Sequence, residues 1–164
     1  MARQRSVLAI LTDRPFLSTG YRPSDRIYHA GIAPLTEPVH LRSADGSVHL
    51  RLHVRIDFLV VTTPLHPREG EARDVAYSYT ISDRDGRELV AWHWHPVGVS
   101  AETAPHVHLS GVAPLDLGRG LRALPLADLH VPSGQVTLAG IARFLIAEAG
   151  IQPQRRNWRE VLAP

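Results

Sequence analysis

Two pairs of histidines are the residues in this sequence whose type and spacing could do chemistry. They are His93 with His95 and His106 with His108, and one residue separates the members of each pair. Residues two positions apart in a β-strand point to the same face, so a hairpin of these segments places four imidazoles together. Neutral imidazole is the commonest protein ligand for zinc, copper, nickel and iron. We therefore predict a histidine-lined site suited to a divalent transition metal such as zinc, with Glu102 of the connecting loop as a further candidate ligand.

Three interpretations of this histidine face remain open at the level of sequence. In the first, three imidazoles bind a metal ion and leave one coordination position for water or substrate. In the second, no metal takes part: one histidine accepts a proton, another donates one, and Arg51 and Arg55 bind a phosphate. That arrangement would suit cleavage of RNA through its own 2′-hydroxyl. In the third, the histidines lie on a solvated strand face of a chain that contains ten of them.

Alternation of apolar and polar residues predicts the strands that carry this face. His49–Val60 alternates over a dozen positions, which indicates a long, half-buried strand with Arg51 and Arg55 on its polar side. Val75–Ser82 and Arg87–His95 follow and are separated by Asp-Arg-Asp-Gly, a strong turn signal.

A two-residue turn in this hairpin would pair Tyr79 with Trp92 and Tyr77 with Trp94, so that aromatic side chains share one face. A longer turn would shift these pairs. The register is therefore a prediction that depends on the turn.

The segment Pro105–Leu109 predicts the strand after the connecting loop. We expect His95 to lie opposite His106 and His93 opposite His108, because this register also places the intervening apolar residues together on the other face. All four imidazoles then share one side of the sheet.

The remaining segments complete the predicted fold. Residues 12–48, rich in proline and glycine, predict irregular structure with one or two short strands, and the charged stretch Glu69–Asp74 predicts a surface loop. Residues 137–149 predict an amphipathic helix that Thr137 caps and Gly150 ends.

Together these elements indicate a single α+β domain over residues 1–164, with its strand core at 49–110. The expected architecture is an antiparallel sheet of about four to six strands with one main C-terminal helix packed on it.

Composition narrows the class of protein. The chain has 164 residues, no cysteine and a formal net charge of +2, and all 18 of its basic residues are arginine. The lack of cysteine excludes disulfides and thiolate metal sites. The small net charge does not by itself indicate a nucleic-acid partner. No apolar run is long enough for a membrane span, so we expect a cytoplasmic protein without a membrane partner.

The stretch Tyr77–Leu162 resembles small bacterial proteins that have a histidine-rich hairpin and, more distantly, the TumE-type toxin family of toxin–antitoxin pairs. The motifs that carry the resemblance are WHWHP at 92–96, PHVHL at 105–109, LHVPSGQVTL at 129–138 and RRNWREVL at 155–162. The resemblance implies an RNA-directed toxin with a cognate antitoxin as partner. It also implies that His106 and His108 are important for activity.

The expected function is that of a toxin-type, nucleic-acid-directed hydrolase whose catalytic residues are the four histidines. The alternative is a module that binds a metal ion or a protein partner without turnover. The long strand His49–Val60 adds a homodimer as a further expectation if it lies at a sheet edge, because an unpaired edge invites another chain.

Overall fold

One antiparallel sheet makes up most of the described part of the chain. The structure is a computed structural model that describes residues 2–63, 66–97, 102–110 and 130–163, with the backbone alone at residues 63 and 66–69. Within these ranges the sheet has eight strands: β1 (Phe16–Ser18), β2 (Ser24–Ile32), β3 (Val39–Arg42), β4 (His49–Thr63), β5 (His66–Asp83), β6 (Glu88–Trp94), β7 (His106–Leu109) and β8 (Val131–Pro132). The helices there are α1 (Ala2–Leu8), α2 (Leu138–Ala147) and α3 (Trp158–Val161).

The strand order places β4 in the interior of the sheet. The order is β1-β2-β4-β5-β6-β7-β8, and β3 pairs with β4 beside β2. The condition for a dimer through the long strand is therefore not met, because both sides of β4 are already paired. In the described part of the chain the sheet ends at β1 and β8, which have three and two residues.

The alternation of β4 divides the sheet into two faces. The apolar face carries the buried residues Leu52, Val54, Ile56, Phe58 and Val60 of β4 and Tyr77, Tyr79 and Ile81 of β5. The polar face carries Arg51, His53, Arg55 and Asp57 of β4. Burial of one face drives the assembly, because removing apolar surface from water yields about 25 cal/mol per Å². The same period fixes which residues are available for chemistry on the other face.

The predicted fold class is wrong. The described chain forms eight strands with only short helices, rather than four to six strands with one main C-terminal helix. Part of the difference lies in Glu69–Asp74, which was predicted to be a loop and belongs to β5. Its backbone continues the pairing with β4, and Glu71 and Arg73 alternate with the half-buried Ala72 and Asp74. A charged stretch fits a strand when its charged side chains face solvent.

The segment 12–48 supplies the other unexpected strands. It was predicted to be irregular with one or two short strands, and it contains three, β1, β2 and β3. The strands lie between the prolines, which occupy the connections and therefore remove no donor from the hydrogen-bond ladder. Those prolines are Pro15, Pro23, Pro34 and Pro38.

Helix α2 lies where the sequence predicts a helix, but it is only ten residues long. The Thr137 Oγ1 accepts a hydrogen bond from the Gly140 N–H at 3.1 Å, and Gly150 adopts a φ of +68° beyond the other end, a conformation that glycine adopts without strain. The helix shares the core with the unpredicted α1, and Phe144 meets Trp92 of the sheet edge-on. No helix in the described ranges has the length and apolar character needed to cross a membrane.

The hairpin of β5 and β6 has the predicted aromatic pairs. Tyr79 lies opposite Trp92, and Tyr77 lies opposite Trp94. The turn is longer than two residues: the Asp83 N–H donates to the Arg87 carbonyl at 2.9 Å, which leaves residues 84–86 in the loop. A bulge near the turn absorbs the additional residue, so the aromatic register survives the longer turn.

Candidate metal centre

Strands β6 and β7 present the histidine pairs on the polar face of the sheet. The observed register pairs His93 with His106 and Ala91 with His108. The expected pairing of His95 with His106 and of His93 with His108 is therefore wrong by two residues. A shift of two positions preserves the side to which each residue points, so all four histidines still share one face.

His106 lies at the centre of a cluster of five imidazoles. Its ring centroid lies 5.8 Å from His93, 5.1 Å from His95, 5.0 Å from His108 and 4.9 Å from His130. We call these five residues the histidine cluster. Half of the ten histidines of the chain belong to it.

The environment of His106 determines which of its nitrogens carries a proton. The side chain is 1% exposed, and its Nδ1 lies 2.8 Å from the Ala104 carbonyl oxygen. Because a carbonyl only accepts hydrogen bonds, Nδ1 must carry the hydrogen, and Nε2 of the neutral ring then holds a lone pair. Nε2 is buried and has no hydrogen-bond partner among the described residues. A buried acceptor without a partner is costly and calls for an explanation.

His106 also belongs to a grouping of three histidines. One nitrogen of each of His106, His108 and His130 lies within 4.8 Å of the other two. Three imidazoles on a tetrahedral zinc ion have nitrogens about 3.3 Å apart, given zinc–nitrogen bonds of about 2.0–2.1 Å. Modest side-chain movement would therefore close the grouping on an ion. These three residues lie close together and could hold a metal ion.

His130 was not among the site residues predicted from the sequence, although in the structure its ring lies close to those of His106 and His108. Strand β8 pairs with β7 through Pro132 opposite His106 and Val131 opposite Val107. This pairing brings His130 to the cluster, with its ring 4.6 Å from that of His108. In the sequence, residues 129–131 fit a short strand, but such a pattern does not say which strand it pairs with.

The other two predicted histidines border the grouping. His93 and His95 contact His106 through their rings, but they are not part of the three-nitrogen grouping. Burial, and to a smaller extent the neighbouring imidazoles with His108 first, lower the pKa of His93 from 6.5 to about 4. His93 is therefore neutral at physiological pH, which limits the positive charge that the cluster accumulates.

Glu102 lies beside the site as a support for the backbone. Its Oε1 accepts a hydrogen bond from the Ala104 N–H at 2.7 Å. The Ala104 carbonyl oxygen in turn accepts the hydrogen bond from His106 Nδ1. The carboxylate thus orders the segment that orients the buried imidazole. Glu102 does not belong to the described three-nitrogen grouping.

The two arginines predicted to bind phosphate both lie on the polar face of β4, but at different distances from the histidines. Arg55 lies in one cross-strand row with Ser78, His93 and His106. Its guanidinium donates to both Asp57 carboxylate oxygens, at 2.9 and 3.2 Å.

Arg51 lies four residues earlier in β4, opposite Ser82 near the hairpin turn. It is therefore further from the histidine row than Arg55. The sheet brings the histidines together but gives the arginines other surroundings.

Comparison of the chain with protein-family models, curated proteins and solved structures gave no match. The resemblance to the TumE-type toxin family therefore stays a prediction from the sequence motifs, as do the RNA-directed activity and the antitoxin partner that it implies.

Proposed function

We propose that this protein binds a divalent transition metal ion through His106, His108 and His130, with zinc as the first candidate. The observation that carries the proposal is the buried Nε2 of His106. Its lone pair has no hydrogen-bond partner among the described residues, and one ring nitrogen of His106 lies within 4.8 Å of a ring nitrogen of each of the other two histidines. A metal ion would satisfy that lone pair.

The surroundings of His106 also match those of a metal ligand. Metal-binding histidines usually donate their other ring N–H to a carbonyl or carboxylate, which fixes the tautomer and the ring orientation. The contact of Nδ1 with the Ala104 carbonyl does this, and Glu102 in turn holds the Ala104 backbone. His106 is thus held ready to bind through Nε2.

The donor set favours a site with an open coordination position. Three neutral imidazoles suit zinc, copper, nickel or iron, and a three-ligand zinc site leaves its fourth position for water or substrate. His130 is exposed and His108 is half-buried, so solvent can reach that side of the grouping. An ion bound there would supply Lewis-acid chemistry and an acidified water.

Metal binding is better supported than the metal-free alternative. A ribonuclease that works without metal needs cations free to hold a phosphate, but the Arg55 guanidinium already donates to both carboxylate oxygens of Asp57. A toxin-type hydrolase remains a proposal for the reaction of the metal-bound site in the cell, and the antitoxin and RNA partners belong to that proposal.

The test is metal content and zinc titration on protein purified without a histidine tag. We expect about one zinc ion per wild-type chain and loss of this binding in His106→Ala/His108→Ala. The matched control is His40→Ala/His49→Ala, which removes two exposed histidines outside the cluster and should bind zinc like wild type. Equal zinc binding by all three proteins, or no binding by wild type, would contradict the proposal.

A further inference from the structure

A separate cavity of about 270 Å³ lies on the apolar face of the sheet. Its walls come from β4, β5 and β6, from α1 and from the chain that enters α2. The histidine cluster lies on the opposite face, so the two sites share no side chain. The volume is slightly below the range of about 300–1,000 Å³ that is usual for drug-sized ligands, which restricts the occupant to a small molecule.

Three aromatic rings form one side of this cavity. Tyr77 stacks on Tyr79 with ring centroids 4.8 Å apart and planes within 12°, and the Trp94 ring is 6.0 Å from Tyr77 at an angle of 50°. The Tyr77 hydroxyl accepts a hydrogen bond from the Val136 N–H at 2.9 Å, which fixes the ring at the start of α2. The faces of such rings carry partial negative charge and attract cations.

A carboxyl group lies in the same cavity. Asp74 lies opposite the fully buried Phe58 in the pairing of β4 with β5, which is an unusual position for an ionisable side chain. It makes no hydrogen bond or ion pair to a described residue. Burial raises the pKa of Asp74. A half-buried carboxylate has lost part of its hydration, and a cation bound beside it would stabilise its charge.

Two further polar side chains complete the lining. The Gln4 Oε1 is buried and has no hydrogen-bond partner among the described residues, so it can accept a proton from a hydroxyl or N–H of a ligand. Arg3 also lines the cavity, but its Nη2 donates to the Ala163 carbonyl at 3.0 Å on the exposed side. Two acceptors, the Asp74 carboxyl group and the Gln4 Oε1, therefore lie in the cavity lining.

We propose that this cavity binds a small alkylated ammonium compound that also carries a hydroxyl or N–H donor. The cationic end would lie against the Tyr77 and Trp94 rings and the Asp74 carboxylate, and the donor would reach Gln4. Aromatic rings combined with an anionic group recognise such cations through charge and ring quadrupole together. A neutral molecule of the same shape would lose both attractions.

The test compares choline with its neutral isostere, 3,3-dimethylbutan-1-ol, by calorimetry and tryptophan fluorescence. We expect choline to bind at least about tenfold more tightly, because it alone carries the positive charge that the aromatic rings and the Asp74 carboxylate attract. No choline binding, or equal binding of the two probes to wild-type protein, would overturn the proposal.

The variant Asp74→Asn keeps the shape of the side chain and should weaken choline binding by about tenfold or more. Asp85→Asn is the matched control, because Asp85 is an exposed aspartate in the β5–β6 turn. Unchanged choline affinity in Asp74→Asn would also refute the proposal. These results do not depend on the metal, since zinc titration of the same proteins reports on the opposite face.

Discussion

Replacing His106 by leucine tests whether this histidine is a metal ligand or a structural residue of the core. In the metal-free protein the change removes the hydrogen bond to the Ala104 carbonyl, worth about 0.5–1.5 kcal/mol. It also removes the buried Nε2 acceptor that has no partner among the described residues, whose desolvation costs about 1–3 kcal/mol. The two effects oppose each other. We therefore expect metal-free His106→Leu to be as stable as wild type within about 1 kcal/mol, or slightly more stable.

Zinc should reverse the order of stability of wild type and His106→Leu. A ligand that binds only the folded state at a free concentration of about 100 times its dissociation constant adds about 2.7 kcal/mol to the free energy of unfolding. Wild type should gain this increment, whereas His106→Leu has lost the central ligand of the grouping and should gain little. Without metal His106→Leu is about as stable as wild type, and with zinc it becomes the less stable protein.

Urea unfolding monitored by tryptophan fluorescence measures the free energy of unfolding, once with a chelator present and once with zinc. The variant His49→Leu is the control, because His49 is exposed and lies outside the cluster; it should keep the zinc increment. The reasoning would be refuted if metal-free His106→Leu lost several kcal/mol, as a tightly packed core residue does, and if zinc left wild type unchanged.

Two further predictions concern the sheet that supports the site. Burial tends to raise the pKa of Asp57, but hydrogen bonds from Arg55 and His29 outweigh this and lower it below its ordinary value of 3.8. The unfolded state therefore takes up the proton first, so this stabilisation is complete above about pH 4 and is lost as the pH falls through the folded-state pKa. Asp57→Asn should cost about 1–3 kcal/mol at neutral pH and reduce the loss of stability as the pH falls below about 4; acid unfolding curves parallel to wild type would contradict this. Leu52→Ala, in the fully buried centre of β4, should lower the free energy of unfolding by about 2–5 kcal/mol; a loss below about 1 kcal/mol in urea titration would mean that the apolar face is not the core.

The sequence by itself determined the features that depend on local periodicity. The alternation of His49–Val60 predicted a strand with one buried face, and the single residue within each histidine pair predicted that both imidazoles share a face. Thr137 and Gly150 marked the region of α2 because capping and positive φ are local properties of the chain. Each of these predictions needs only the geometry of one element, and the structure confirms each.

Strand pairing decided the remaining features. The extent of the strands depended on their partners: Glu69–Asp74 extends β5 only because β4 lies beside it. Charge and proline content predicted loops there and in 12–48, since they describe solvation and turns but not the hydrogen-bonding partner.

The site also required tertiary structure. The pairing of β8 with β7 brings His130 to the cluster, and the fold buries His106 beside the Ala104 carbonyl, which selects the ring nitrogen left with a lone pair. The side to which a histidine points follows from periodicity along one strand. Which histidines meet, and which nitrogen is available to bind, depends on pairing and burial between segments distant in sequence, so only the tertiary structure decides them.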